Sequence, residues 1–135
     1  MNKIINTVMV CALFGAAASA MAELVVVVNP SNAASGMTAD QASQFFLGKS
    51  TSLTPVDQVE SAAIRAEFYK KVTDKEPSQA KALWSKLVFT GKATPPKEYG
   101  SSADVKKAIA ADPKAIGYIE KGALDASVKA VLTVP

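Results

Sequence analysis

Four consecutive valines, Val25 to Val28, lie in the segment that most strongly constrains how this chain can fold. The segment extends from Leu24 to Asn29, its first five residues are apolar, and Pro30 ends it. β-Branched residues favour strands, and an apolar run without polar alternation is typical of a strand covered on both faces. In an α/β sheet, helices cover both faces. The segment therefore predicts an α/β architecture with a buried first strand.

Helix and strand signals alternate along the rest of the chain. Thr38 and Gln41 have the spacing of a capping box, and Gly48 and Gly91 are placed to end helices. Pro77 suits a first helical turn. We expect a single α/β domain with about four strands and about four helices. Its helices are predicted from Thr38 to Leu47, Ser61 to Val72, Pro77 to Val88 and Ser101 to Ala111, and its later strands at Leu53–Asp57, Ala115–Ile119 and Val128–Val134.

The first 22 residues have the features of a signal peptide. Lys3 provides a positive start, and the apolar run from Ile4 to Ala17 is shorter than the roughly 20 residues of a membrane-spanning helix. Two sites with the A-x-A cleavage pattern follow, Ala18-Ser19-Ala20 and Ala20-Met21-Ala22. The second is favoured. We therefore expect residues 1–22 to be removed and residues 23–135 to form one exported domain.

The expected mature chain lacks cysteine, because Cys11 lies inside the apolar run and is lost with it. Small residues of a lipoprotein cleavage site do not precede Cys11, so we expect no lipid anchor and no membrane insertion after cleavage. The chain has no histidine, which excludes Ser-His-Asp and Cys-His sites. Neither a metal cluster nor a nucleophile–base pair is visible. The sequence predicts a protein that is not an enzyme and uses no cofactor or metal.

The charge balance argues against nucleic acid as a partner. The whole chain carries 15 basic and 12 acidic side chains, and loss of Lys3 with the signal leaves a side-chain charge of +2. That excess is small and scattered along the chain.

Arg65 and Ser61 are candidate ligands for a small oxyanion. A helix N-terminus presents unpaired N–H groups, and a nearby arginine adds a planar fork of donors. Arg65, the only arginine, lies in the first turns of the helix predicted from Ser61. The alternative is that Ser61 only caps this helix and that Arg65 is solvated, paired with Asp57.

Ser31 and Asn32 are candidate ligands from the loop after the first strand. They follow its carboxyl end, where α/β sheets place their ligands. The alternative is that both are ordinary turn residues.

Several short motifs, in this order and spacing, resemble a known family. They are Phe46-Leu47-Gly48-Lys49, Val56-Asp57 with Glu60, Ile64-Arg65 before Phe68-Tyr69, Trp84, Phe89-Thr90-Gly91-Lys92 with Pro95-Pro96, and Ala115-Ile116-Gly117-Tyr118-Ile119. The chain resembles the small periplasmic-binding-protein-like family that is related to phosphate ABC transporter substrate-binding proteins. The resemblance covers essentially the whole of residues 23–135. It implies the fold of one lobe of such a protein, location in the periplasm, and phosphate or a similar oxyanion as ligand.

The resemblance also has departures that keep two functions open. Two-lobed relatives hold phosphate between lobes with a serine-rich helix start, whereas alanines follow Ser61 here. A domain of this length builds one lobe only. The first function is a non-catalytic binder of phosphate or a similar oxyanion, linked to ABC-type uptake or sensing. The alternative is a cell-envelope interaction module that docks an envelope protein or a transporter component without a small ligand.

Overall fold

Five strands and four helices form the part of the chain that the computed structural model describes, residues 23–135. The predicted signal peptide and its cleavage sites lie outside the described residues. The strands are β1 (Leu24–Val28), β2 (Thr54–Gln58), β3 (Lys97–Tyr99), β4 (Ala115–Glu120) and β5 (Lys129–Val134). The helices are α1 (Ala39–Phe46), α2 (Ala63–Phe68), α3 (Pro77–Phe89) and α4 (Ser102–Ala111). A π-helical turn (Tyr69–Thr73) extends α2, and a 3₁₀ turn (Lys121–Ala123) follows β4.

The α/β fold class is confirmed, with one strand more than the expected four. The additional strand is β3, a three-residue edge strand directly after Pro95-Pro96. Its shortness and the prolines before it hide it from pattern analysis, because strands that short carry no measurable alternation.

The sheet is mixed, in the order β3-β2-β4-β1-β5. β2 pairs in parallel with β3 and β4, whereas β1 runs antiparallel to β4 and β5. Val28 therefore lies opposite Ile116, at the end of the sheet where β2 and β4 begin. The carboxyl ends of β2 and β4 lie at the other end, beside Leu24.

The valine run of β1 is covered on both faces, as predicted. Leu24, Val26 and Val28 contact the core formed with α1 and α2. Val25 and Val27 contact a second core on the opposite face, formed with α4. All five residues of β1 are at most 1% exposed. The strand is apolar at every position because neither of its faces reaches water.

Gly117 allows α4 to lie close to the sheet. A Cβ at this position would stand 2.9 Å from both Ile109 Cδ1 and Val56 Cγ2, and 3.0 Å from Val105 Cγ1. Since successive side chains of a strand point to opposite faces, the next residue, Tyr118, is directed away from α4 into the other core.

Most helix ends follow their predicted signals. Thr38 and Gln41 form a reciprocal capping box at α1, and Ser101 Oγ accepts from the amide of Asp104 at α4. Gly48 and Gly91 adopt positive φ of 77° and 74° after α1 and α3. The start of α2 was wrongly predicted at Ser61. Ala62 is its N-cap without a side-chain cap, because residues 60–61 form a turn in which the amide of Ala62 bonds to Val59 O.

Candidate functional site

A buried carboxylate, Asp57 of β2, organises the polar interior. Its Oδ1 accepts from the hydroxyl of Tyr118 and, at 2.8 Å, from the amide of Gln58. Its Oδ2 accepts from the hydroxyl of Tyr69 at 2.5 Å. Asp57 is 2% exposed. These donors compensate for the loss of hydration that burial imposes on a carboxylate.

Arg65 joins this network rather than extending into solvent. Its Nη1 donates to Gln58 O at 2.7 Å and to Glu98 Oε2 at 2.9 Å. Its Nε lies 4.0 Å from Asp57 Oδ1 and has no hydrogen-bond acceptor within the described chain. The alternative of a solvated Arg65 is wrong, because α2 turns this side chain over β2 and leaves it 5% exposed. The same alternative also paired Arg65 with Asp57, and the structure shows that pair as the 4.0 Å contact between Nε and Oδ1.

The pKa values of the network follow from burial. Burial raises the pKa of Asp57 above its usual range, against the lowering effect of the hydrogen bonds from Tyr118 and Tyr69 and of the Arg65 charge. Burial, and then the Asp57 carboxylate, raise the pKa values of Tyr69 and Tyr118. Both tyrosines therefore stay protonated and serve as hydrogen-bond donors.

The raised pKa of Asp57 predicts a specific pH dependence of stability. The folded state holds this proton more tightly than the unfolded state, in which the carboxyl has a pKa near the ordinary 3.8. The contribution of Asp57 to the free energy of unfolding should therefore fall as the pH rises from about 4 towards the raised pKa. Urea unfolding of the protein and of Asp57→Asn at several pH values checks this, since the variant lacks the titrating group. A difference between the two that stays flat or rises with pH would contradict the prediction.

An open cleft adjoins the network on the side of α3; we call it the α3 cleft. Its volume is about 550 Å³. Buried charged groups form its inner wall, and apolar groups of α3 and of the Pro95-Pro96 loop form its outer walls. Phe89 is 91% exposed and Val88 42% exposed at this cleft. The lining residues are Asp57, Arg65, Tyr69, Lys81, Trp84, Ser85, Val88, Phe89, Pro95, Pro96 and Glu98.

A second cavity, the helix-start cavity, lies where α2 and α4 begin. Its volume is about 400 Å³. Gln58, the last residue of β2, lines this cavity, whereas the preceding residue, Asp57, lines the α3 cleft. The lining residues are Glu23, Leu24, Gln58, Ala62, Ala63, Ile64, Glu67, Gly100, Ser101, Ser102 and Glu120.

Ser102 provides a buried hydroxyl in the helix-start cavity. The residue is 8% exposed. Its Oγ accepts long hydrogen bonds from Gln58 Nε2 at 3.3 Å and from the amide of Glu120 at 3.4 Å. No oxygen of residues 23–135 accepts a hydrogen bond from this hydroxyl, so its proton remains available to a ligand. Sequence analysis missed Ser102 and Gln58, because the only local signal, Ser101 three residues before Asp104, is a capping signal.

The structure does not bring Ser31 and Asn32 together with Arg65. Both residues follow β1, whose first residue lies near Gln58. At the usual rise per residue of a strand, the carboxyl end of β1 lies about 13 Å along the sheet from that first residue. Ser31 Oγ donates to Asn29 Oδ1 at 2.7 Å, and Asn32 Nδ2 donates to Pro113 O at 3.2 Å. The antiparallel direction of β1 is the reason for the separation, and these contacts stabilise a turn. Neither residue lines the helix-start cavity or the α3 cleft.

Ser61 lies exposed in the turn before α2. Its hydroxyl makes no cap, and Arg65, four residues later, faces the α3 cleft rather than the helix-start cavity. Ser61 and Arg65 are therefore close in sequence but do not form one binding site.

Two further features bear on the kind of protein. Among the described residues, no cluster of three or more histidine, cysteine, aspartate or glutamate side chains could hold a metal ion. None of the described helices is both long and apolar enough to cross a membrane.

Comparison with known proteins finds similarity in structure but not in sequence. No protein-family model and no curated protein matches the sequence. An ABC-type phosphate transport receptor from Vibrio cholerae matches with a TM-score of 0.65 and 22% identity, over 82% of this chain and 47% of that protein. PstS from Borrelia burgdorferi matches with a TM-score of 0.64 and 13% identity, over 82% and 47%. A protein from Clostridium perfringens, described as a phosphate ABC transporter substrate-binding protein and solved with bound phosphate, matches with a TM-score of 0.66 and 19% identity, over 82% and 45%.

At these identities the similarity establishes the fold. The chain spans less than half the length of the proteins it matches. Residues 23–135 thus have the α/β fold of a single periplasmic-binding-protein-like lobe, similar to part of the phosphate ABC transporter substrate-binding proteins.

Proposed function

We propose that this chain is an exported, non-catalytic binding domain for phosphate or a similar small oxyanion, which acts in ABC-type uptake or sensing in the periplasm. The observation that carries the proposal is the buried Ser102 hydroxyl at the start of α4, beside amides that lack intrahelical acceptors. Support also comes from the fold, which the chain shares with part of three phosphate transport proteins.

The start of α4 supplies the donors. The amides of Ser102 and Ala103 are the first two of the helix and have no acceptor within it. The amide of Asp104 is already bonded to Ser101 Oγ at 3.2 Å. The partial positive charge of a helix N-terminus favours an anion at this position. The side chain of Gln58 and the Ser102 hydroxyl add polar groups to the same cavity.

Carboxylates at the cavity determine which oxyanion fits. The cavity is also lined by three carboxylates, those of Glu23, Glu67 and Glu120. Lysines lie near two of them: Lys121 Nζ is 3.5 Å from Glu23 Oε1, and Lys71 Nζ is 3.9 Å from Glu67 Oε2. A carboxylate repels a fully ionised anion but accepts a hydrogen bond from one that still carries a proton. Phosphate carries a proton near neutral pH and sulfate does not. The proposal therefore includes a preference for phosphate over sulfate.

Thermal unfolding with millimolar phosphate tests the proposal. A ligand at 100 times its dissociation constant adds about 2.7 kcal/mol, which shifts the midpoint of a domain of this size by roughly 10 °C. We expect this shift with phosphate and a much smaller one with sulfate. Ser102→Ala should weaken phosphate binding roughly tenfold, the effect of one lost hydrogen bond of about 1.4 kcal/mol. Ser85→Ala, which changes a serine of the α3 cleft, is the matched control and should leave the shift intact.

Two outcomes would contradict the proposal. If phosphate gives no shift, this domain does not bind it. If Ser102→Ala keeps the full shift, the ion binds away from the start of α4.

A further inference from the structure

The α3 cleft is separate from the helix-start cavity, and oxyanion binding does not account for it. We propose that the α3 cleft is a docking groove for a peptide segment of a partner protein, which inserts a bulky apolar side chain and carries acidic residues beside it. This inference does not depend on the proposed oxyanion function.

The outer walls of the cleft expose apolar surface that the fold leaves uncovered. Phe89 at the end of α3 is 91% exposed, and its neighbour Val88 is 42% exposed. Of the 13 residues of α3, only Ala80 and Trp84 are buried. Exposed apolar patches beside a concavity mark binding surfaces in soluble proteins. The volume of about 550 Å³ lies in the usual range of ligand sites and admits a large side chain with the backbone that carries it.

The inner wall has hydrogen-bond donors without acceptors. Both hydrogens of Arg65 Nη1 are used, on Gln58 O and Glu98 Oε2. Nε is fully buried and donates to no oxygen of residues 23–135. Nη2 also donates to none of them and, unlike Nε, is not fully buried, so it is the donor that a ligand in the cleft can reach. Arg65 as a whole is 5% exposed, so a ligand oxygen in the cleft would satisfy the hydrogen-bonding capacity of Nη2 that the fold leaves unused.

The surroundings of Arg65 decide which kind of oxygen fits. Asp57 lies 4.0 Å from Nε and Glu98 lies 2.9 Å from Nη1, so two carboxylates already offset the guanidinium charge. A third carboxylate there would meet net repulsion. A neutral carbonyl oxygen would not, and the peptide backbone supplies one beside every side chain. The inner wall therefore favours a peptide main chain over a free organic anion.

The charge of the outer surface indicates the character of the flanking residues. The segment from α3 to β3, residues 77–99, contains four lysines and one glutamate, a net charge of +3. Residues 23–135 as a whole carry 14 basic and 12 acidic side chains, a net charge of +2, so the rest of the domain is slightly acidic. Lys81 lines the cleft, and Lys86 and Lys92 are exposed close to it along the chain. Among the described residues no carboxylate lies within 4.0 Å of Lys86 or Lys92. Acidic residues complement this surface.

Selection from a random dodecapeptide library displayed on phage tests the inference on the immobilised protein. We expect the enriched peptides to share a bulky apolar residue flanked by aspartate or glutamate. A synthetic peptide of the enriched sequence should bind Phe89→Ser at least tenfold more weakly than the unchanged protein, and should bind more weakly to Lys86→Glu. Leu124→Ser is the matched control, because it removes a 36% exposed apolar side chain away from the cleft and should not change binding.

Three results would overturn the inference. The first is the absence of enrichment, and the second is enrichment of peptides that bind Phe89→Ser as well as the unchanged protein. The third is binding to phosphatidylglycerol vesicles that needs Phe89 while no peptide is enriched, which would assign the surface to a membrane. Urea unfolding of Phe89→Ser should match that of the unchanged protein, so a loss of binding cannot be attributed to unfolding. The phosphate-induced thermal shift of the same samples reports separately on the proposed function.

Discussion

Asp57→Ala is expected to lower the free energy of unfolding by about 3–5 kcal/mol, the cost of removing one partner from a buried charged network. The hydroxyls of Tyr69 and Tyr118 would lose their acceptor, and the amide of Gln58 would lose one of its two. Arg65 would keep one carboxylate, Glu98, whose side chain is 45% exposed. Urea unfolding followed by far-UV circular dichroism measures the loss.

Glu60→Ala is the matched control for this prediction. Glu60 is three residues from Asp57 in sequence, but its side chain is 64% exposed, and within residues 23–135 it pairs with the exposed Lys81 alone, at 3.5 Å. Exposed pairs contribute about 0–1 kcal/mol, so this carboxylate should be nearly dispensable. If both variants lost the same free energy of unfolding, burial would not be the reason for the contribution of Asp57 to stability. A loss below about 1 kcal/mol in Asp57→Ala would mean that water replaces the carboxylate.

The sequence allowed the order of the elements other than β3, and most helix ends, to be predicted because these depend on neighbouring residues. Thr38 caps α1 through Gln41, three positions away, and Gly48 supplies the positive φ that ends that helix. The valine run predicted burial on both faces for the same reason, since its pattern is complete within five residues. Short sequence patterns predict structure well where the stabilising contacts join residues that are close in sequence.

The candidate site was less predictable because its contacts join distant positions. Tyr118 reaches Asp57 across 61 positions, and Glu98 reaches Arg65 across 33. The sequence offered Asp57 as a partner of Arg65 but only for a solvated side chain, so the burial of Arg65 against β2 was not predicted. The direction of β1 is a further example, since its antiparallel pairing separates Ser31 and Asn32 from Gln58. Strand direction depends on the whole sheet rather than on the strand.

The apolar residues of α3 recur at helical spacing, which predicts one buried face made of Ala80, Leu83, Trp84, Leu87 and Val88. Periodicity correctly marked Ala80 and Trp84 as buried, and Trp84 Nε1 donates to Phe46 O at 2.7 Å. The same periodicity placed Val88 on the buried face, where the structure leaves it 42% exposed. The core ends before the helix does, so the last turn of α3 continues an apolar pattern beyond the surface that could cover it. The periodic pattern identifies the apolar face of the helix, but it does not show which part of that face the core covers.

Phe68→Ala is expected to be as destabilising as the loss of Asp57, by about 3–5 kcal/mol, the usual cost of removing a fully buried phenylalanine ring. Phe68 is 0% exposed and stacks on Tyr118, with ring centroids 4.0 Å apart and an interplanar angle of 6°. Its edge also contacts Phe46 at a centroid distance of 4.6 Å. Phe89→Ala removes the same ring from a residue that is 91% exposed, and should change stability by no more than about 0.5 kcal/mol.

The pair of phenylalanine variants separates folding from recognition. Phe68 holds the ring of Tyr118, whose hydroxyl bonds to Asp57, so its loss should also weaken the polar network beneath the α3 cleft. Phe89 has no comparable partner within the domain, and its truncation should reduce peptide binding while urea unfolding stays unchanged. If Phe89→Ala destabilised the domain as much as Phe68→Ala, then Phe89 would be part of the core, and the apolar surface of the α3 cleft would need no partner to explain it.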